Sequence, residues 1–333
     1  MCEAREQEIK NVEKYPHSLI TILAGGTGSV KLVRGLYNEF KKNIGVISNV
    51  ADNFWHYGLY ICPDVDTIIY GLSNHLDKKR GWGIKNDTFN FLNHMKLLGE
   101  EAWFNLGDKD LATHVLRTQL LKEGKNLSEI TRLLSHKYGL GIPIVPASDV
   151  HYETNMVTKD DQVFHLQEYW IKHKGALPLK DIVYKNVKLA KISLECKRML
   201  ENSKLIVLAP GNPISSIGPI IAISGMKNIL HKHRNKVVMV SPLISNKAFS
   251  GPSEIYMRAK NIQPDIRGLI NFYSKISANM IFDRVDKKEV EEKIGTTSYP
   301  QINFSYTDIL MNNSRKELAL ASYIISEFCQ DRR

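Results

Sequence analysis

Residues 19-LITILA-24 are almost uninterruptedly apolar, the pattern of a strand buried on both faces. Val30, Val33, Tyr37 and Phe40 follow at helical spacing, and 44-IGVISNV-50 is a second apolar run. Strand, helix and strand in succession predict a βαβ unit, a parallel sheet and a right-handed crossover. The same grammar returns late, with a strand at 204–210, a helix at 217–223 and a strand at 236–242. Between the halves, about residues 70–140 carry helical periodicity. Leu111, Val115, Thr118 and Leu121 mark the face of one helix. Ile130, Leu133 and Leu134 mark another, with Ser128 as its N-cap. Residues 155–170 read as a hairpin around the charged turn 159-KDDQ-162. Leu318, Ala321, Ile324, Ile325 and Phe328 define a final amphipathic helix. The predicted fold class is α/β, a Rossmann-like three-layer αβα core with a mostly parallel sheet, a helical insertion and a β-hairpin. Residues 18–333 read as one domain behind a charged extension, 1–17.

Composition narrows this. The chain of 333 residues is 43% apolar and 24% charged, as in globular proteins, and no apolar run approaches the ~20 residues of a membrane span. The start of the chain lacks the apolar core of a secretory signal. Forty-five Lys and Arg against 35 Asp and Glu give a formal charge of +10. The basic residues are scattered, and the clusters 78-KKR-80 and 231-HKHRNK-236 are short. They read as a solvated surface rather than a nucleic-acid track. Cys2, Cys62, Cys196 and Cys329 form no C-x-x-C pair, so zinc and redox motifs are unsupported and a cytoplasmic setting is expected. Cys62 reads as a packing residue.

Ligands of open α/β sheets bind beyond the carboxyl ends of the strands. Each predicted strand ends in small or polar residues: Gly25, Gly26, Thr27, Gly28 and Ser29, then 49-NVADNFW-55, then 210-PGNPISSIGP-219, then 241-SPLISNKAFSGP-252. Ordinary turn chemistry explains one or two such corners; four in succession suggest a ligand floor. The first suits phosphate, because glycines admit an anion to backbone N–H groups at a helix start. Lys31 adds charge there. It also occupies the place of the third glycine of a dinucleotide fingerprint, and Gly-Lys-Ser/Thr of a Walker loop is absent. Asp52, Asp64, Asp66, Asp108 and Asp110 collect in the neighbouring motifs and can hold Mg²⁺ with substrate phosphates. Their plainer readings are an N-cap for Asp66 and a solvated turn for Asp108 and Asp110. His114 falls one helical turn beyond Asp110, as a packed residue or a catalytic one. Trp55, Trp82 and Trp103 fall near these motifs, in the core or against a flat aromatic ligand.

These stretches resemble the 2-phospho-L-lactate transferase (CofD) family of coenzyme F420 biosynthesis. The resemblance lies in 24-AGGTGSVKLVRGL-36, 58-GLYICPDVDTIIYGL-72, 80-RGWGIKNDTFNF-91, 106-LGDKDLATHVLRTQLLKEG-124, 210-PGNPISSIGP-219 and 239-MVSPLISNKAFSGP-252. It implies an enzyme that takes a GDP-linked three-carbon acid, lactyl-2-diphospho-5'-guanosine or its enolpyruvyl counterpart. The phospho-acid passes to the ribityl hydroxyl of Fo, 7,8-didemethyl-8-hydroxy-5-deazariboflavin. GMP leaves, and F420-0 or its dehydro form results. Mg²⁺ and a homodimer are implied, with no nucleic-acid or membrane partner. On the matched positions the resemblance implies Asp52 and Asp66 as catalytic and metal-holding. It implies Gly25, Gly26, Thr27, Gly28, Lys31, Asn212, Ser215, Ser216 and Lys247 at the nucleotide phosphates. Asp66, Trp55, Asn105, Asp108 and Lys109 are implied at Fo. The chain departs from the family pattern at Asn53 and Asn105, where acidic or charged residues are usual, and at Gly211, where serine is usual. The competing readings are a non-catalytic, nucleotide-sugar-binding regulatory relative and a NAD-dependent oxidoreductase, the latter disfavoured by the missing third glycine.

Overall fold

The computed structural model describes residues 19–248, 251–295 and 298–329. The extension expected at 1–17, with Cys2, lies outside the described residues. The chain then runs through β1 (Ile20–Ala24), α1 (Gly26–Phe40), β2 (Ile44–Ser48), the hairpin β3 (Phe54–His56) and β4 (Leu59–Ile61), and α2 (Pro63–Leu72). Helices α3 (Asn90–Leu97), α4 (Asp108–Lys122) and α5 (Leu127–Lys137) precede β5 (Ile144–Pro146). An antiparallel unit follows, of β6 (Glu153–Thr158), β7 (Val163–His165) and β8 (Leu179–Lys185). The second half runs α6 (Leu194–Asn202), β9 (Leu205–Leu208), α7 (Ile217–Ala222), α8 (Met226–Lys232) and β10 (Val237–Val240). After it come β11 (Leu243–Ile244), β12 (Lys247–Ala248), α9 (Ser253–Ala259), α10 (Ile266–Tyr273), β13 (Asn279–Asp283), β14 (Asn303–Thr307) and α11 (Ser314–Phe328).

Seven strands form one sheet in the order β14-β13-β10-β9-β1-β2-β5, and every pairing in it is parallel. Every residue of β1, β2, β9, β10 and β13 is buried, which explains their continuous apolar runs. The sheet winds outward from β1 in both directions, through β2 and through β9. Its switch point lies beside β1, where α/β folds open a ligand crevice. The three-layer α/β architecture matches the sequence reading. Helix α1 packs on α2 and α11. Gly35 makes the second contact possible, since a Cβ there would lie 2.4 Å from the Glu317 carbonyl oxygen. Arg34 donates to the buried Glu317 carboxylate across the same contact.

Three local readings are corrected. The hairpin is real at β6 and β7, but residues 166–170 leave it and Glu168–Lys172 form a π-helical turn. The cap of α5 is Asn126, which accepts from the Glu129 N–H while Glu129 bonds back, a capping box that Ser128 does not make. Of the α4 face marked by Leu111, Val115, Thr118 and Leu121, only Thr118 is buried. Val115 is half exposed, and the buried side carries Asp110, Thr113, His114 and Arg117.

Candidate active site

A cavity of about 380 Å³ opens beyond the carboxyl ends of β1, β2 and β9, a volume within the ~300–1,000 Å³ of ligand pockets. Gly26 and Thr27 at the start of α1, Asp52 after β2, and Ser215 and Ser216 after β9 supply one side. Helices α2 and α4 supply Asp64, Asp66, Tyr70, Asp110 and His114. Trp82, Phe104, Trp170 and Tyr256 give it aromatic walls. Trp82 stands between Gly81 and Gly83, both at positive φ, and its ring is stacked under the Arg80 guanidinium at 4.9 Å.

The first polar group joins α1 to α2. Pro63 opens α2, and Asp64 and Asp66 fall in its first turn, where the helix dipole favours anions. Asp66 is therefore inside the helix, not its cap; Cys62 holds the cap position. The Gly26 N–H donates to Asp64 Oδ1 at 2.7 Å. Gly26 has φ of +74°, a conformation that suits glycine. Asn49 Nδ2 donates to Asp64 Oδ2 at 2.9 Å and reaches Asp52 Oδ1 at 3.5 Å. Gln167 Nε2, carried in from the π-helical segment, donates to Asp52 Oδ2 at 3.2 Å. A Cβ at Gly25 would lie 2.8 Å from both Asn49 Cβ and Asp64 Oδ2, so this corner closes only around glycine. Burial, with the charge of Asp64, holds Asp52 well above the usual carboxylate range. Burial raises Asp64 to about 6 against the bonds from Asn49 and Gly26.

The second group joins α2 to α4. Asp110, His114 and Arg117 recur at helical spacing on the buried side of α4. Arg117 Nη2 donates to Asp66 Oδ1. His114 Nδ1 lies 3.6 Å from Asp66 Oδ2, and Nε2 lies 3.3 Å from Asp110 Oδ1, close in charge terms but not aligned as a hydrogen bond. Tyr70 donates to Asp110 Oδ1 at 2.7 Å. Burial raises Asp66 despite the guanidinium of Arg117. For Asp110 burial acts upward too, but His114 and Tyr70 outweigh it and hold the group below the usual range. Arg117 stays charged because the Asp66 carboxylate more than offsets its desolvation.

The structure gathers Gly26, Thr27, Asp52, Asp66, Asn105, Ser215 and Ser216 of the expected residues into the cavity wall. The others stand behind it or outside. Asn212 Oδ1 accepts from the Ile214 and Ser215 N–H groups, shaping the turn that presents the two serines. Asp108 accepts from the N–H groups of Asn90 and Phe91 and so caps α3, while Asp87 accepts from Lys109 and Asp110 and caps α4. Lys109 Nζ donates to the Asn86 carbonyl. Trp55 is about half exposed, its ring tilted against that of Tyr60 on the neighbouring strand. Gly25, Gly28, Lys31 and Lys247 are not in the wall. Tyr70, Arg117 and Gln167 were not singled out in the sequence. The helical spacing of Arg117 from His114 and Asp110 was the available signal for one of them; nothing local marked Gln167, which arrives from the turn that follows β7.

Two donor sets could hold a cation. Asp52 and Asp64 offer oxygens alone, the preference of Mg²⁺. Asp66, Asp110 and His114 place one ligand atom each within 4.8 Å of one another, and Asp66 Oδ2 is buried without a hydrogen-bond partner. Asp52 and Asp66, expected as one pair, line one cavity but belong to different groups. Among the described residues no Lys or Arg lines the cavity, so a polyanion entering this space meets carboxylates.

Fold and cavity together define an α/β protein with a polar cavity at the sheet's switch point. The family model for "2-phospho-L-lactate transferase CofD" matches residues 20–302. The 2-phospho-L-lactate transferase of Methanocaldococcus jannaschii is 34% identical over 315 residues, 93% of this chain and 98% of that protein. That of Methanosarcina mazei is 36% identical over 310 residues, 92% of this chain and 99% of that protein. The phosphoenolpyruvate transferase of Mycolicibacterium smegmatis is 30% identical over 280 residues, covering 79% of this chain and 86% of that protein. A solved UPF0052-family structure from Bacillus halodurans shares the fold with a TM-score of 0.60, at 14% identity, over 94% of this chain and all of that one. The chain belongs to the 2-phospho-L-lactate transferase CofD family and is a transferase. No helix among the described residues is long and apolar enough to cross a membrane.

Proposed function

We propose that the chain transfers a phospho-three-carbon-acid group from a GDP-linked donor of the lactyl-2-diphospho-5'-guanosine type to the ribityl hydroxyl of Fo. GMP leaves, and F420-0 or dehydro-F420-0 forms. The observation that carries this reading is the cavity's composition among the described residues, four aspartates and no Lys or Arg beside several aromatic walls. A diphosphate is admitted to such a site only together with a cation, and a flat deazaflavin suits the aromatic side.

Asp52 and Asp64 are the residues that would hold Mg²⁺, which neutralises the diphosphate when bound. The chain's own part is positioning. The first turn of α1 directs helix N–H groups toward the phosphates, and Ser215 and Ser216 offer hydroxyls from the facing turn. Trp82, Phe104 and Trp170 orient the acceptor ring, and Asn105 offers an amide to its polar edge. A loose phosphoryl transfer asks for little else. Relatives bear two names, for phospholactate and phosphoenolpyruvate, and the acid of the native donor is one of this class. A cytoplasmic homodimer completes the reading.

Binding separates this proposal from a regulatory relative. Titration of the protein into Fo, followed by deazaflavin fluorescence, should give saturable binding that strengthens with GDP and Mg²⁺. Binding of a nucleotide with none of Fo would contradict the proposal.

A further inference from the structure

Arg117 heads the fully buried side chains by volume, and it lies behind the cavity wall, not in it. Its guanidinium has no lone pair, so every contact it makes is a donation. Nη2 donates to Asp66 Oδ1. Nη1 lies 3.1 Å from His114 Nδ1 and 3.4 Å from the Tyr60 carbonyl oxygen. His114 Nδ1 must then be the acceptor, and the proton of the neutral ring sits on Nε2. One buried cation thus sets two of the residues that α2 and α4 present to the cavity. Asp66 is left with Oδ2 unpartnered, and His114 is left with an N–H on the side of Asp110.

We infer that Arg117 is a positioning residue that fixes the His114 tautomer and the Asp66 carboxylate, so that His114 faces Asp110 and the cavity with an N–H donor and not with a basic nitrogen. Both ring nitrogens are committed, Nδ1 to Arg117 and Nε2 to its own proton, which leaves the Asp66 and Asp110 oxygens, and not His114, as ligand atoms of that group. Helical spacing requires the arrangement: residues 114 and 117 share a face, and Asp66 projects from α2 to meet them. The inference rests on the cavity being the transferase site, but its structural half can be read without any substrate.

The test is ¹⁵N NMR of histidine-labelled full-length protein at about pH 8, where an ordinary imidazole is neutral. The His114 signals are assigned by their loss in His114→Gln. The expected result is a pyrrole-type Nε2 and a pyridine-type Nδ1 for His114 in the unaltered chain. Arg117→Met should give a mixed or inverted tautomer. Where Arg117→Met does not fold, Arg117→Lys carries the test, because one ammonium keeps a charge beside Asp66 but lacks the fork that also reaches His114. In steady state, either variant should lose ~10²-fold in kcat with KM for donor and acceptor nearly unchanged, as expected of misplaced groups. A His114 ring already carrying its proton on Nδ1 would overturn the inference. So would a tautomer unmoved in both variants, or a loss confined to KM. Failure to turn over Fo at all would instead count against the proposed function, with the tautomer result standing on its own.

Discussion

Asp52 and Asp66 separate two kinds of buried carboxylate. Asp66 is tied to a buried guanidinium, whereas the nearest charge to raise Asp52 is another aspartate. Neutralising Asp52 as Asn removes a charge that burial disfavours, so Asp52→Asn should melt at or above the temperature of the unaltered chain while kcat falls ~10²-fold or more. Asp66→Asn leaves Arg117 buried without its counter-charge and should cost ~3–5 kcal/mol in stability as well as activity. Thermal melts beside steady-state rates check the pair, and equal destabilisation by both changes would contradict the assignment. Asp52, Asp66, Gly26 and the two serines were legible because each sits in a spelled-out motif at a strand end. Gln167 and Arg117 were not, because their proximity to those motifs exists only once the antiparallel unit and α4 are folded against the sheet.

At the scale of elements, α4 shows why periodicity misleads at a site. The rule that the buried face is apolar fails where a helix lines a polar cavity, and Val115 is turned outward as a result. The segments around Asp87 and Asp108 exchange caps, each carboxylate closing the start of the other's helix. That exchange accounts for the density of aspartate in 86-NDT-88 and 107-GDKD-110 without giving Asp108 a ligand. Asp87→Ala should cost ~1 kcal/mol, or ~2 °C in melting temperature, through the lost cap. It should also lower kcat, since Asp110 and His114 ride on the first two turns of α4. An unchanged melt would show that the cap carries no energy. Strands β1, β2, β9 and β10 of the central sheet were read correctly because burial on both faces leaves little but apolar residues in them, whereas β5, β13 and β14 were not singled out. The third antiparallel strand, β8, was missed because its exposed and half-buried residues carry a weak signal.

The whole molecule sets a net charge of +10 against a cavity lined with aspartate. The scattered basic surface draws anions in, and the cavity itself calls for a cation to receive them. Asp64 gives this a pH dependence. Its folded pKa is raised to about 6, so its contribution to stability is full below about pH 4 and is lost as pH rises through about 6. A divalent cation takes the proton's place above that range. Mg²⁺ should therefore raise the melting temperature more at pH 7 than at pH 5, by scanning calorimetry in EDTA and in Mg²⁺. An equal rise at both, or none, would argue against a cation at the Asp52–Asp64 corner. The central claim is the group transfer itself, and mass spectrometry of a reaction holding Fo, a GDP-linked three-carbon acid and Mg²⁺ tests it most directly. The account predicts one new product, Fo carrying the phospho-acid on its ribityl chain, together with an equal amount of GMP, both abolished by EDTA. GMP released with Fo unmodified, or Fo and donor both returned intact by well-folded protein, would contradict it.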